Sequence, residues 1–192
     1  ATVLWEQYTR CTAAFRVLTE SKPAKYHALQ AGIAHAQYNY FIICDDDNWL
    51  QSDYVETAFR LLNGYPKAGA IGGKGIATVE GDLPLPSWYL ENPESYAVGP
   101  QGKHPGDVSK RGRLWGAGLA SRTNVYRRMY QNYPTFLPEG DLSKEDTEYC
   151  LRLILWGYEL RYDDRLIYQH FIPKERLLSE HAAFIDQKNQ MN

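Results

Sequence analysis

Three consecutive carboxylates, Asp45, Asp46 and Asp47, follow a short apolar segment of the chain. Adjacent acids repel one another, and this repulsion has no evident value for folding. Alternate side chains at the end of a strand point to the same region, so Asp45 and Asp47 are expected to converge on one ligand. Mg²⁺ and Mn²⁺ prefer carboxylate oxygens, would remove the repulsion and commonly bridge a diphosphate. The run therefore favours a divalent-cation site over a solvated turn in which Asp47 or Asn48 caps the next helix.

A second acidic pair, Glu145 and Asp146, opens a strongly apolar helical segment. A carboxylate here could act as a general base, which must lie within hydrogen-bond reach of the hydroxyl that it deprotonates. The alternative is structural, because the spacing of Ser143 and Asp146 resembles a capping box and acids favour a helix N-terminus. Both interpretations stay open on the residues alone.

Small residues and a histidine mark two further candidate positions. In the segment Trp115-Gly116-Ala117-Gly118, small side chains let another group approach the backbone closely, although tight sheet packing explains them equally well. His170 ends a predicted strand and could ligate a metal through its neutral imidazole, although a hydrogen-bonded structural histidine is the commoner case.

Aromatic and basic residues complete the candidate set. Aromatic residues make up 14% of the chain, with 15 Tyr and 5 Trp, and exposed aromatic faces stack on sugar rings. Trp88 and Tyr89, in a Pro-rich stretch, are candidates for such stacking, against the alternative that they are half-buried rim residues. Lys174 and Arg176 could neutralise a diphosphate, or could be solvated surface.

Strands and helices alternate along the chain, and they must position these residues. Strands are predicted over 40–44, 68–78, 114–121, 159–162 and 166–170, and helices over 3–17, 24–37, 52–63, 123–131, 143–156 and from 174 onward. This alternation predicts a three-layer α/β domain with a mostly parallel central sheet. Ligands bind beyond the carboxyl ends of such strands, which places Asp45 to Asn48 in a crevice.

The segment 79–112 holds five of the ten Pro and few periodic apolar positions. Loops of this length in compact domains are usually functional or mobile. We therefore expect 79–112 to be a lid over the acceptor or donor side of the crevice, within a single domain that spans residues 1–192.

Composition excludes several classes of protein. A chain of 192 residues, with 44% hydrophobic residues, is long enough to bury a core. The net charge of −2 does not suit nonspecific nucleic-acid binding. Three scattered Cys indicate neither a disulfide framework nor a zinc site and favour a reduced, cytosolic setting. The apolar runs are far shorter than the ~20 residues that span a bilayer.

The first residue is Ala rather than Met, so we expect a processed or truncated piece of a longer chain.

The order of these motifs resembles the family-two glycosyltransferases of the GT-A (Rossmann-like) fold, and bacterial members in particular. The resemblance extends from about Lys22 to Leu177. It is carried by the segments Pro86-Ser87-Trp88-Tyr89, Tyr96-Ala97-Val98-Gly99, Trp115-Gly116-Ala117-Gly118, Glu145-Asp146-Thr147-Glu148 and His170-Phe171-Ile172-Pro173-Lys174.

The resemblance implies transfer of a sugar, with inversion, from a nucleotide-diphosphate sugar to an acceptor hydroxyl, with Mn²⁺ or Mg²⁺ as cofactor. It makes Asp45 and Asp47 the metal-binding Asp-x-Asp motif, in which Asp47 is the more direct ligand of the two. Asp45 or Asp46 would face the ribose or a metal-bound water, and His170 would be a further metal or phosphate contact. Candidate nucleotide-binding residues are Asp45, Asp46, Lys25, Lys174 and Arg176.

On the acceptor side, the resemblance makes Asp146 the base and gives Glu145 a part in acceptor binding. Trp88, Trp115, Gly116 and Gly118 are the candidate substrate-binding residues. The acceptor would be a saccharide or a lipid-linked group, in polysaccharide or glycoconjugate synthesis. The implied location is the cytoplasm, with possible peripheral association at the inner face of the cell membrane.

The sequence departs from the family pattern in two respects. We find neither the N-terminal strand-helix-strand unit that binds the nucleotide base nor the Gln-x-x-Arg-Trp motif of processive members, so a truncated, non-processive enzyme is expected. Two alternatives stay open. A nucleotidyltransferase also uses clustered carboxylates, but no glycine-rich phosphate loop with Lys precedes a helix. A non-enzymatic carbohydrate-binding domain would use the Trp and Tyr faces.

Overall fold

The computed structural model describes residues 16–138 and 141–178. Most of the helix predicted over 3–17, and the part of the predicted C-terminal helix beyond residue 178, lie outside the described residues. The helices are α1 (Lys25–His35), α2 (Tyr54–Gly64), α3 (Ser87–Glu91), α4 (Thr123–Asn132) and α5 (Glu145–Leu155). The strands are β1 (Tyr40–Ile42), β2 (Asn48–Leu50), β3 (Ala68–Val79), β4 (Gly106–Asp107), β5 (Ala120–Arg122) and β6 (Glu159–Ile172).

The described strands form one mixed sheet in the order β1-β5-β3-β6-β2, with β4 also paired to β6. The α/β class is confirmed, but the expectation of a mostly parallel sheet is wrong for these strands. Only β3 and β6 pair in parallel, whereas the β1–β5, β3–β5, β2–β6 and β4–β6 pairs are antiparallel. Each antiparallel pair includes a strand of two or three residues, and such short edge or insert strands leave little periodic signal in the sequence.

β6 is one continuous strand of 14 residues rather than the two predicted short strands. Its register against β3 shifts between Gly72 and Lys74, where residues 163–166 of β6 have no counterpart. Asp163 pairs with Arg165 at 2.8 Å within this bulge. A Cβ on Gly73 would lie 2.0 Å from the carbonyl oxygen of Leu166, so the bulge requires glycine on the facing strand.

Helices cover both faces of the sheet, as expected for three layers. Neighbouring residues on β3 point to opposite faces, and Ala70 and Ile71 belong to two different hydrophobic clusters. The first cluster includes side chains of α1, α4 and α5, among them Ile33, Tyr126 and Leu153. The second includes the apolar face of α2. The site therefore rests on a sheet packed on both sides.

The segment 79–112 contains α3, β4 and three short 3-10 turns rather than a featureless loop. Its second half is tied to the sheet. The backbones of Gly75 and Gly99 form a bridge, and the buried Gln101 donates to the Gly73 carbonyl at 2.9 Å. Gln101 also accepts from the Trp115 N–H at 2.7 Å. Movement of a lid remains a prediction.

The predicted strand over 114–121 is a strand only at its end, where β5 begins. Gly118 has a φ of 71°, which breaks the extended conformation. A Cβ there would lie 2.4 Å from the Tyr54 hydroxyl oxygen, which donates to the Gly118 carbonyl at 2.7 Å. Glycine at this position lets α2 approach the sheet closely.

None of the helices in residues 16–138 and 141–178 has the length and apolar character needed to cross a bilayer.

Candidate functional site

A cavity of about 1180 Å³ brings together most of the residues singled out in the sequence. Its lining combines the acidic run, the start of α1, the segment 92–97, the Trp115–Ala117 segment and the start of α5. The predicted site residues that line it are Lys25, Asp45, Asp46, Asp47, Trp115, Gly116, Glu145, Asp146, His170 and Arg176.

The pairing of β2 with β6 places Asp47 beside His170. Asn48 is the register partner of His170, and the Asp47 carbonyl accepts from the Phe171 N–H at 2.8 Å. The alternative in which Asp47 or Asn48 caps the next helix is wrong, because β2 intervenes and the cap residue of α2 is Asp53. The acidic run is therefore a tight connection between two strands, with its side chains at the cavity.

Asp47 meets two nitrogen groups from the end of the described chain. Its Oδ2 lies 3.3 Å from His170 Nε2 and 3.4 Å from an Arg176 nitrogen. His170 Nδ1 lies 2.6 Å from the Tyr96 carbonyl oxygen, which can only accept, so Nδ1 carries a proton. In the neutral ring, Nε2 therefore presents its lone pair toward a carboxylate oxygen. Two facing acceptors of this kind suit a shared cation.

The donor set fits a metal that a ligand helps to hold. Among the described residues, no group of three or more His, Cys, Asp and Glu is arranged to hold a metal ion. Asp47 Oδ2 and His170 Nε2 are two adjacent atoms that can each ligate a metal ion. Mg²⁺ in particular is usually bound by one or two carboxylates together with substrate phosphates. These residues would therefore supply part of a coordination shell, with diphosphate oxygens supplying the rest.

Lys25 joins the acidic run to α5. Its ammonium lies 2.7 Å from the Asp45 carboxylate and 3.9 Å from a Glu145 oxygen. At the opposite end of α1, the Arg127 guanidinium donates to the carbonyls of Ile33, Ala34 and Ala36 and so anchors the helix. The lysine thus bridges the two acidic motifs that the sequence singled out separately.

Glu145 and Asp146 differ sharply in environment. Glu145 is only 8% exposed, and this burial, reinforced by the charge of Asp146, raises the pKa of Glu145 to about 7, although Lys25 opposes the shift. Asp146 is half-buried, and its Oδ2 accepts from the Gly116 N–H at 3.0 Å while its Oδ1 accepts from the Thr147 N–H. The capping-box alternative is not observed: the cap of α5 makes no side-chain hydrogen bond, and Ser143 donates instead to Asp141 at 2.6 Å.

Gly116 lies between the two motifs. A Cβ there would come 3.3 Å from the Lys25 ammonium and 3.6 Å from Asp146. Trp115 lines the cavity beside it, with the Arg111 guanidinium 5.2 Å from its ring centroid. Glycine at 116 therefore leaves room for the contact between α1 and α5.

Three predicted site residues lie outside the lining of this cavity. Gly118 serves the approach of Tyr54 described above. Trp88 is half-buried against Tyr89 and Tyr96 in a third hydrophobic cluster. The backbone N–H of Lys174 donates to Glu80 at 3.1 Å. Any contact of these residues with a substrate stays a prediction.

The cavity wall is strongly acidic. Seven carboxyl groups and four Lys or Arg side chains line it, which leaves a net charge of −3 with His170 neutral and every carboxyl group ionised, and of −2 when Glu145 holds a proton. An anionic ligand entering without a cation would be repelled. The charge balance therefore agrees with a cation-dependent site for a diphosphate.

Sequence reasoning missed several lining residues. Asn92, Glu94 and Ser95 come from the segment predicted as a lid, and Arg113 precedes the Trp115 segment. For Asn48, the sequence predicts a place in the crevice or at a helix cap but no role at the site. Its position directly after the acidic run is the one signal that could have singled it out.

Comparisons with known proteins bear on the fold and the family. The family model described as Glycosyl transferase family 2 matches residues 7–129. A comparison with proteins of curated function gives no significant match.

Two solved structures resemble the chain. The mannosyltransferase PcManGT from Pyrobaculum calidifontis, in complex with GDP-Man and Mn²⁺, has a TM-score of 0.58 and 18% identity, over 92% of this chain and 44% of that one. S. aureus TarS 1-349, in complex with UDP-GlcNAc, has a TM-score of 0.55 and 13% identity, over 90% of this chain and 46% of that one. This chain thus spans less than half the length of either structure. At these identities the likeness establishes the GT-A-type fold.

The family model covers well over half of the chain, and its match agrees with the fold, the order of motifs and the acidic cavity: the chain belongs to glycosyltransferase family 2.

Proposed function

We propose that this cavity binds a nucleotide-diphosphate sugar together with a divalent cation, and that it supports transfer of the sugar to an acceptor hydroxyl with inversion. The observation that carries the proposal is the convergence of Asp45 to Asp47, His170, Glu145 and Asp146 on one cavity. Family membership supports sugar transfer as the class of reaction.

Asp47 and His170 would hold Mn²⁺ or Mg²⁺. When bound, the cation would offset the charge that develops on the departing diphosphate. Arg176 reaches the same carboxylate oxygen at 3.4 Å and carries a second positive charge into the cavity, where it would contact a diphosphate. Lys25 would hold Asp45 in place and keep the start of α5 near the acidic run.

Asp146 would act as the base. Oδ1 accepts from both the N–H and the hydroxyl of Thr147, whereas Oδ2 accepts only from the Gly116 N–H and so retains a lone pair for a proton. As the acceptor oxygen attacks the anomeric carbon, its proton would pass to Asp146 and the bond to the diphosphate would break on the opposite side. Because the acceptor attacks the face opposite the departing diphosphate, the configuration of the anomeric carbon is inverted. Glu145, buried behind Asp146, would help to bind the acceptor.

Calorimetric titration of UDP and GDP, with and without Mn²⁺, tests the donor site. The wild-type chain is expected to bind one of them only when Mn²⁺ is present, and Asp47→Ala is expected to lose that binding. Asp164→Ala is the matched control, because Asp164 is exposed and does not line the cavity. Metal-independent nucleotide binding, or unchanged binding by Asp47→Ala, would overturn the metal assignment.

Asp146→Asn tests the base. An asparagine oxygen can still accept from the Gly116 N–H, but its NH₂ group would face the Thr147 N–H, so a melting curve must first show that the variant folds. Transfer is expected to fall by about 10²–10⁴-fold while nucleotide affinity stays nearly unchanged. An equal loss of binding would mean that Asp146 is structural. Release of pyrophosphate rather than a nucleoside diphosphate would favour the nucleotidyltransferase alternative.

The proposed setting is the synthesis of a polysaccharide or glycoconjugate, with a saccharide or lipid-linked acceptor. PcManGT was solved with GDP-Man and Mn²⁺, and TarS with UDP-GlcNAc, which supports a nucleotide sugar as the donor class here. Cytoplasmic location at the inner face of the membrane is part of the same proposal. Product analysis with candidate donors, and membrane fractionation, would test these points.

A further inference from the structure

Asn48 is a buried polar side chain beside the proposed metal ligand. The residue is 5% exposed, and its side-chain nitrogen donates to Asp47 Oδ1 at 2.9 Å. Its side-chain oxygen is buried and has no hydrogen-bond partner. A buried oxygen left unpaired is unfavourable, so this arrangement calls for a reason.

The backbone holds Asn48 in this place. Its N–H donates to the Asp45 carbonyl at 3.0 Å, and its carbonyl accepts from the Cys44 thiol at 3.3 Å. Asn48 is also the register partner of His170 in the β2–β6 pair. The side chain is therefore fixed between the acidic run and the histidine.

The orientation of the amide follows from Asp47. Turning the amide over would set its oxygen against a carboxylate oxygen, and the two acceptors would repel each other. The observed orientation gives a charge-assisted hydrogen bond to Asp47 at the expense of an unpaired oxygen.

Because of this hydrogen bond, the two oxygens of the Asp47 carboxylate have different partners. Oδ1 is held by Asn48, whereas Oδ2 faces His170 Nε2 at 3.3 Å. The Tyr96 carbonyl orients the ring of His170 in the same way, through Nδ1. Asp47 and His170 are thus each held by a hydrogen bond at the side-chain atom that does not face the proposed cation site. Second-sphere hydrogen bonds of this kind orient metal ligands.

We propose that Asn48 is the positioning residue of the cation site, which orients Asp47 so that Oδ2 lies beside His170 Nε2. The inference rests on the proposed function, because it concerns the same site. It assigns to Asn48 a hydrogen bond to Asp47 and no contact with the cation.

The test measures Mn²⁺ binding rather than turnover. Free Mn²⁺ is followed by electron paramagnetic resonance in the full chain, alone and with whichever of UDP or GDP binds the wild type. Asn48→Leu keeps the approximate size of the side chain and removes both the donor and the unpaired oxygen. We expect Mn²⁺ affinity to fall about 10–100-fold, with nucleotide affinity at saturating Mn²⁺ within about threefold of wild type.

Thermal melting separates positioning from support of the fold. Asn48→Leu removes the unpaired amide oxygen but also the donor to Asp47 Oδ1, and these two changes oppose each other, so the variant should melt close to the wild-type temperature while binding Mn²⁺ more weakly. Asn48→Ala is the second variant, and a folded Ala variant should show the same loss of affinity. Asn39→Ala, at an exposed asparagine that does not line the cavity, is the matched control and should bind Mn²⁺ normally.

The possible failures are distinct. If the wild-type chain does not bind Mn²⁺ with or without nucleotide, the proposed function fails and the inference falls with it. If the wild type binds Mn²⁺ and a folded Asn48→Leu or Asn48→Ala variant binds it equally well, only the role of Asn48 is overturned.

Discussion

Glu145 should make the stability of the chain fall as pH rises, and Glu145→Gln should remove that dependence. Burial raises the pKa of Glu145 from an ordinary value of 4.5 to about 7. The folded state therefore holds a proton that the unfolded state has released between these two pH values. Stability declines with pH wherever the native state binds more protons than the unfolded state.

The magnitude follows from the two pKa values. Each tenfold change in an equilibrium is worth about 1.4 kcal/mol, so the full effect of Glu145 is about 3 kcal/mol. The part that falls between about pH 5 and about pH 8 is about 2–3 kcal/mol. Glu145→Gln stays neutral throughout, so its unfolding free energy relative to wild type should rise by this amount across the range.

Urea denaturation followed by Trp fluorescence, with a chelator present, measures this difference directly. Glu91→Gln is the matched control, because Glu91 is exposed and its difference from wild type should be flat with pH. A Glu145→Gln difference that does not change with pH would refute the reasoning. It would mean that the folded chain solvates or pairs Glu145 well enough to keep an ordinary pKa.

Two further substitutions test the packing around the site. Gly118→Ala should lower the free energy of unfolding by about 2–4 kcal/mol, because φ is 71° and a Cβ would overlap the Tyr54 hydroxyl oxygen at 2.4 Å. Gly112→Ala, at φ 77° with its nearest contact at 3.9 Å, should lower it by about 1 kcal/mol. Equal melting temperatures for the two variants would contradict this. Glu148→Gln should cost about 3–5 kcal/mol, because the 1%-exposed Glu148 pairs with the buried Arg152 at 2.7 Å. Glu56→Gln, which breaks an exposed pair, should change the unfolding free energy by less than about 0.5 kcal/mol, and a similar loss in both variants would argue against burial as the cause.

Much of the fold could be predicted because strong local patterns mark its longer elements. α1, α2, α4, α5 and β3 agree with their sequence predictions to within a few residues. β2 could not be predicted, because a strand of three residues is too short to show an alternating pattern. β6 was divided in two because Asp163, Asp164 and Arg165 interrupt its apolar pattern, although they form a bulge within one strand.

The parts of the candidate site that could be predicted are those formed by residues adjacent in the sequence. The acidic run and the Glu145-Asp146 pair both line the cavity. The contact of Lys25 with both motifs depends on how α1 docks against α5, which no local pattern encodes. The position of Asn48 beside His170 is likewise a tertiary property, since it follows from the pairing of two strands far apart in the chain.

The β2–β6 pair also links ligand binding to the completion of folding. Asp47 and His170 are 123 positions apart, so their meeting closes a loop that includes most of the described chain. Such closure costs chain entropy, and β2 is a three-residue strand at the end of the sheet order. A ligand that binds both residues would hold β2 against β6. At a concentration 100 times its dissociation constant, it would add about 2.7 kcal/mol to the free energy of unfolding. Amide hydrogens of β2 and the end of β6 should therefore be among those whose exchange slows most when the cavity is filled.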